Sequence, residues 1–292
     1  MRRENVTKVG DGKSFLEVGM LDRLPSVANQ AKSPLVSRNY NLFNSLHVVD
    51  TLAKENWFPV LAQEQRVRNE DRKGYQKHLI RFRQPGSALK NVGDVAPELT
   101  VTNAHDTSAA WIFMGGAYKL ACANGLIVCQ SLLASVRVRH MGFDEAHVLG
   151  VAANLSKQIH LIVDKIREYQ NIELSVLERI AFAEEAIGLK FRTDEVEMRE
   201  NGIAVTGDRA FSVTALLEPR RTEDSRPTLW NVFNTVQEKF IKGNAYERTV
   251  RMIGGRVHNT TKVRGIEAID ENIRINTGLW ELMDLFSQLK KS

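Results

Sequence analysis

Residues 57–83 read WFPVLAQEQRVRNEDRKGYQKHLIRFR, and their alternation decides the fold. From Trp57 to Arg68, Leu61 and Val67 fall on one side, with Glu64, Arg66 and Arg68 on the other. From Gln76 to Arg83, His78, Ile80 and Phe82 point one way, while Lys77, Arg81 and Arg83 point the other. Successive side chains of a strand face opposite ways, so each run predicts a half-buried strand. The link Asn69-Glu70-Asp71-Arg72-Lys73-Gly74 is turn-type and ends in glycine, which joins the two runs as a hairpin. In this reading Arg66, Arg68, Lys77, Arg81 and Arg83 share one sheet face, and Ile80 and Phe82 bury the other.

Upstream, Leu46, Val49, Leu52 and Ala53 recur at helical spacing and predict a helix over 45–56. Residues 1–40 lack sustained periodicity and read as a polar arm. Downstream, Pro85-Gly86 ends the second strand. Third and fourth strands are expected over 98–105 and 110–120, with Asp106-Thr107-Ser108 as the turn between them. Residues 121–133 are open to helix or strand, and 135–140 read as a short basic strand or loop.

From Asp144 the period changes. Val148, Val151, Leu155, Ile159, Ile162 and Ile166 mark a long amphipathic helix to about Tyr169. Further helices are expected over 174–189, from Pro227 to a stop at Gly243, and over 277–290. Residues 191–224 are poorly patterned. Strands segregated from helices imply an α+β fold: an N-terminal antiparallel sheet of about four strands with a helix, then a mainly helical C-terminal half. The expected organisation is an arm (1–40), a β-rich domain with the basic hairpin (41–143), and a helical region packed on it (144–292).

The chain has 292 residues, 43% of them hydrophobic and 26% charged. That composition excludes disordered, collagen-like and disulfide-scaffold classes. The two cysteines, Cys122 and Cys129, lie in apolar surroundings, which suits a reducing compartment. No export signal or spanning stretch is visible, so a cytoplasmic protein without a membrane is expected. The net charge of +5 is unevenly spread. Residues 60–90 hold eight Lys/Arg against three acids, and residues 236–265 hold seven against two. Two basic segments on an otherwise acidic chain suggest a surface that faces a polyanion.

Motifs with strong chemical signatures are missing: no phosphate loop, His-Glu-x-x-His helix, paired-cysteine spacing or Gly-x-Ser-x-Gly turn occurs. Two constellations remain. Asn103-Ala104-His105-Asp106 and Cys122-Ala123-Asn124-Gly125 could bring a thiol nucleophile to a histidine base, or gather metal ligands; the same residues are ordinary turn-formers and a buried cysteine. The second constellation is the basic set. Arg66, Arg68, Lys77, Arg81 and Arg83 are extended by Arg137 and Arg139. Arg248, Arg251, Arg256, Lys262 and Arg264 follow in the C-terminal third. Cations at short intervals can track a phosphate backbone, and interleaved aromatics such as Tyr75 and Tyr246 can stack on bases.

The runs VTNAHDTSAAWIFMGGAYKLACANGLIV, VRVRHMG, RPTLWNVFNTVQEKFIKG and INTGLWELMD occur in this order. Together they resemble a phage- and plasmid-borne family known as domain of unknown function 932, over roughly residues 40–289. The family pattern often has Ser-His-Asp-Gly where this chain reads Ala104-His105-Asp106-Thr107, and Gly-Gly where it reads Gly243-Asn244. The resemblance implies a mobile-element setting, in DNA metabolism or in antagonism of host defence. A helix, a basic hairpin, two more strands and a helix also resemble the core of phage single-strand annealing proteins, which form rings and hold DNA in a positive groove.

The resulting expectation is a non-enzymatic, cofactor-free protein that binds single-stranded DNA, acts in phage or plasmid recombination or strand annealing, and forms homo-oligomers. Arg66, Arg68, Lys77, Arg81, Arg83, Arg137 and Arg139 would contact phosphates, and the C-terminal set would supply a second surface. One alternative is a cysteine- or metal-dependent hydrolase using Cys122 with His105 and Asp106. Another is a mobile-element protein that binds and inhibits a host defence complex.

Overall fold

The computed structural model describes residues 6–38, 40, 42–87, 95–119, 127–128, 136–138, 145–199, 202–206, 209–243, 249–253, 256–261 and 265–291. The chain divides into two units. The first comprises Met1–Val163 with Glu267–Ile269; the second comprises Asp164–Ile266 with Asp270–Ser292.

The first unit is built on an antiparallel sheet. Its strands are β1 (Val6–Val9), β2 (Phe58–Gln65), β3 (His78–Arg83), β4 (Val95–Asn103), β5 (Trp111–Lys119), β6 (Ile127–Val128) and β7 (Val136–Val138). The order is β1-β2-β3-β4-β5-β6, with β7 also on β5. The hairpin register pairs Glu64 with His78, Ala62 with Ile80 and Pro59 with Phe82, with a shift between Pro59 and Leu61. The shift leaves the Val60 carbonyl to accept from Gly12 N–H at 3.1 Å.

The polar arm expected over residues 1–40 carries regular structure. Residues 6–9 add an edge strand to β2, and Leu21, Leu24 and Val27 are fully buried. They belong to a 3-10 turn and the short helix α1 (Pro25–Ala28), whose burial outweighs the polar composition of the segment. Helix α2 (Ser45–Ala53) begins where expected. The Asn44 side chain caps it, accepting from Leu46 N–H at 2.7 Å. Its buried face, Val48, Val49 and Leu52, turns inward, and α2 packs on β2. The described face of the sheet toward α2 carries Ile80, Phe82, Leu99, Val101 and Phe113, each at most 2% exposed. Each such side chain contributes about 1.5–3 kcal/mol by leaving water.

Helix α3 (Glu145–Asn171) runs from the first unit into the second, so the division falls within it. The second unit contains α4 (Val176–Phe191), α5 (Val213–Leu217), α6 (Leu229–Lys242) and α7 (Ile269–Leu289). Helix α4 opens with a full capping box between Ser175 and Glu178. Helix α6 is capped by Thr228, with Pro227 just outside it, and stops at Gly243, whose φ is +69°. Trp230, Phe233, Val236 and Phe240 are its buried side.

The α+β class holds, and two details differ from expectation. The N-terminal sheet has seven strands among the described residues. The C-terminal part also carries a five-stranded antiparallel sheet: β8 (Glu197–Arg199), β9 (Ile203–Thr206), β10 (Arg209–Ser212), β11 (Thr249–Ile253) and β12 (Arg256–Thr261). These strands are too short, and too rich in Arg, Thr and Asn, to alternate visibly. Among the described residues no helix is long and apolar enough to cross a membrane.

Candidate functional site

The hairpin tip is held by its own side chains. Asn69 accepts from Asp71 N–H at 2.9 Å and starts a single 3-10 turn over Glu70–Arg72. Gln76 accepts from Gly74 N–H at 2.6 Å, and Gln65 N–H donates to the Lys77 carbonyl at 2.8 Å, closing the loop. The tip is tied to its surroundings at three points. Asn29 donates to the Gly74 carbonyl at 3.0 Å, His105 N–H to the Tyr75 carbonyl at 2.8 Å, and Arg72 Nε to Asp106 at 2.7 Å. Burial pushes the Asp106 carboxyl up, but hydrogen bonds from Ser108 and Arg72 outweigh it, and its pKa lies below the ordinary value.

Arg66 and Arg68 are exposed at this tip, and neither is in an ion pair among the described residues. Lys73 is exposed and meets Glu70 at 3.5 Å, a surface contact worth little. Lys77 is half-buried. Among the described residues the tip therefore presents cations without a neutralising carboxylate at Arg66 and Arg68.

Arg81 and Arg83 are corrected: they do not lie on a phosphate-facing surface. They are 3% and 5% exposed, and Glu98 on β4, 1% exposed, binds both. Arg81 Nε donates to Glu98 at 2.5 Å and Arg83 Nε at 3.1 Å. The backbone of residues 12–13 crosses over them, and its carbonyls accept from Arg83 at 2.6 Å (Gly12) and 3.2 Å (Lys13). The N-terminal segment thus covers the sheet face that alternation assigned to solvent. Gly12, at φ +75°, fits there because even a Cβ would come to 3.2 Å from the Arg81 guanidinium.

Arg137 is exposed on β7, opposite Ile112 of β5, and is in no ion pair among the described residues. Four strand spacings separate β7 from β2, about 19 Å, so Arg137 does not join Arg66 and Arg68 in one cluster. Arg251 and Arg256 fall on β11 and β12 of the second unit, where only their backbone is described. Arg139, Arg248, Lys262, Arg264 and Cys122 lie outside the described residues.

The opposite face of the sheet holds a polar network that periodicity did not anticipate. Ser45, at the start of α2, has its Oγ 2.8 Å from His78 Nε2 and 3.1 Å from His105 Nε2. Tyr40 OH stands 3.3 Å from His105 Nδ1, and His78 Nδ1 stands 3.4 Å from the Gln76 carbonyl. One proton order serves these four contacts. The Tyr40 hydroxyl donates to His105, His105 to Ser45, Ser45 to His78, and His78 to the backbone. Burial and the Asp106 charge push the Tyr40 phenol up, which keeps it a donor. Asn103 lies 3.2 Å from His105 Nε2, and Trp111 packs edge-on at 6.0 Å from the His105 ring.

Ser45 and His105 have no exposure and His78 is 1% exposed. A serine between two histidines has the parts of a nucleophile and base, but no substrate reaches it in this conformation. Its evident role is to fasten α2 to β3 and to the β4–β5 turn. The pairing of His105 with Cys122 cannot be placed, because Cys122 is outside the described residues. Among the described residues no three His, Cys, Asp or Glu side chains gather as a metal site. A further buried anchor is Glu64, 6% exposed, which accepts from Ser26 N–H at 2.9 Å and Ser26 Oγ at 2.8 Å. The Ser45 pairing had a single trace in the sequence: His78 lies on the apolar face of its strand.

Residues 34–280 match the model of the family described as Domain of unknown function (DUF932). Two proteins of Escherichia coli (strain K12), the UPF0380 proteins YfjQ and YafZ, are each 28% identical over 268 residues, covering 91% of this chain and 90% of theirs. No solved structure matches.

Proposed function

The chain belongs to the DUF932 family, and from that premise we propose that it is a cytoplasmic, non-enzymatic protein that binds single-stranded DNA, acts in phage or plasmid recombination or strand annealing, and self-associates. The observation that carries this reading is the exposure of Arg66 and Arg68 at the hairpin tip, with no carboxylate partner among the described residues and with Lys73 and Lys77 on the same short loop. Guanidinium groups left unpaired in water are free to meet phosphate oxygens at no cost of a broken ion pair. The run of α2, the four strands β2 to β5, two short strands and the long α3 supports the same reading by likeness to strand-annealing cores. Arg81 and Arg83 have no part in it.

With Arg66, Arg68 and Lys77 each meeting one phosphate, single-strand affinity falls with a log–log salt slope of about −2 per subunit, or about twentyfold between roughly 50 and 200 mM salt. The test is fluorescence anisotropy of a labelled oligo(dT) across that range, with wild type and Arg66→Glu/Arg68→Glu. The expected result is that slope in the wild type, and at least tenfold weaker binding by the variant at an unchanged melting temperature. A flat slope, or a variant that binds as well as wild type, overturns the proposal.

A further inference from the structure

Helices α4 and α7 run antiparallel in the second unit. Glu178 meets Lys290 at 2.7 Å at one end, and Arg192 meets Glu271 at 2.7 Å at the other. Between them lies an open groove of about 610 Å³. Helical spacing builds it. Glu184 and Gly188 lie four residues apart on α4, with Arg192 at its C-cap, and Arg274, Gly278, Leu282 and Leu285 recur every three or four on α7. At Gly278 a Cβ would come within 2.6 Å of Leu189, so glycine is what lets the two helices touch at the groove floor.

The floor is apolar: Leu189, Val196, Leu282 and Leu285, with Leu285 48% exposed. The rim is acidic. Glu184, Glu185, Asp194 and Glu281 line it, and none is in an ion pair among the described residues. The two cations in the groove, Arg192 and Arg274, are both taken by Glu271, at 2.7 Å and 2.6 Å. The field over the leucines is therefore negative, on a chain whose net charge is +5.

We infer that this groove docks a basic amphipathic helix of a partner protein. An apolar stripe of the partner covers the leucine floor, and lysines or arginines flanking the stripe meet the four rim carboxylates. From Arg274 to Leu285 the groove follows α7 for about 17 Å, enough for about three turns of the incoming helix. The acidic rim sets the sign of the partner and repels nucleic acid. The inference does not depend on the hairpin tip.

The probe is a fluorescein-labelled Leu/Lys amphipathic helical peptide of about four turns, titrated with the full chain and read by anisotropy. A Leu/Glu peptide of the same pattern is the control. The expected result is saturable binding of the Leu/Lys peptide alone, weakened at least tenfold by Glu184→Lys/Glu281→Lys and also by Leu285→Asp. All three substitutions are at partly or well exposed positions, and circular dichroism confirms that each variant is folded. No binding, or equal binding by wild type and both variants, overturns the inference. So does loss with the charge variant but not with Leu285→Asp, because that pattern is adsorption to charge without a seated apolar face.

Discussion

Arg83 stands opposite Glu98, one rung beyond the Phe82–Leu99 pair of β3 and β4, and its guanidinium binds that carboxylate. Arg81 joins from the rung diagonal to it, so one carboxylate serves two buried cations. Glu98→Ala removes the carboxylate that both guanidinium groups share, and the expected loss is about 3–5 kcal/mol of stability. Urea unfolding measures it. A loss under 1 kcal/mol would mean that water or other groups compensate both cations.

Ser45→Ala removes the hydroxyl shared by His78 and His105. Both buried rings lose that contact, which costs about 1–3 kcal/mol. Tyr40→Phe, at the longer 3.3 Å contact, should cost less. Thermal unfolding of the two variants checks the order, and a larger effect at Tyr40 would contradict the proton order given for the network.

Thr107 has φ +71°, in the left-handed region that a β-branched residue rarely enters. Glycine fits that geometry without strain. Thr107→Gly should therefore stabilise the protein by about 0.5–1 kcal/mol, the relief of strain exceeding the entropy glycine adds to the unfolded chain. A lower melting temperature for the variant would show that the threonine side chain holds the turn in another way.

Glu271 is pulled down to about 2, first by its hydrogen bond from Arg274 and, against the effect of burial, by Arg192 as well. A carboxylate with a depressed folded value adds stability that is present above its unfolded pKa and is lost as pH falls toward the folded one. The contribution is thus full above about pH 4.5 and drains away toward pH 2. Urea midpoints at about pH 6 and about pH 3 should differ less in Glu271→Gln than in wild type. Equal differences would remove Glu271 from the acid response.

Long periodic segments were readable in the sequence. The α2 start at Ser45, the hairpin, the third and fourth strands and the stop at Gly243 all follow from spacing and turn chemistry. What escaped was decided by distant parts of the chain. Alternation placed Arg81 and Arg83 correctly on the face opposite Ile80 and Phe82, yet could not reveal that residues 12–13 cover that face or that Glu98 waits across the ladder. Glu64 was read as sharing the side of Arg81 and Arg83 because alternation does not fix register: the ladder sets Glu64 opposite His78, on the Ile80 face, and Leu61 opposite Arg81. Arg66 and Arg68 kept their exposure because they sit past the end of β2, beyond the reach of its neighbours. The buried Ser45–His78–His105 meeting joins three segments, each of which alone looks like a helix start, a strand residue and a turn.

The first strand has a practical meaning for anyone shortening this protein. The family match starts at Pro34, which makes that residue a natural-looking place to begin a trimmed gene. A product cut there lacks β1 and the crossing backbone at Gly12 and Lys13, so the flank of β2 is left raw and Arg83 loses two acceptors. Such a fragment should clump on its open sheet margin, and its poor behaviour would say nothing about what the intact protein does.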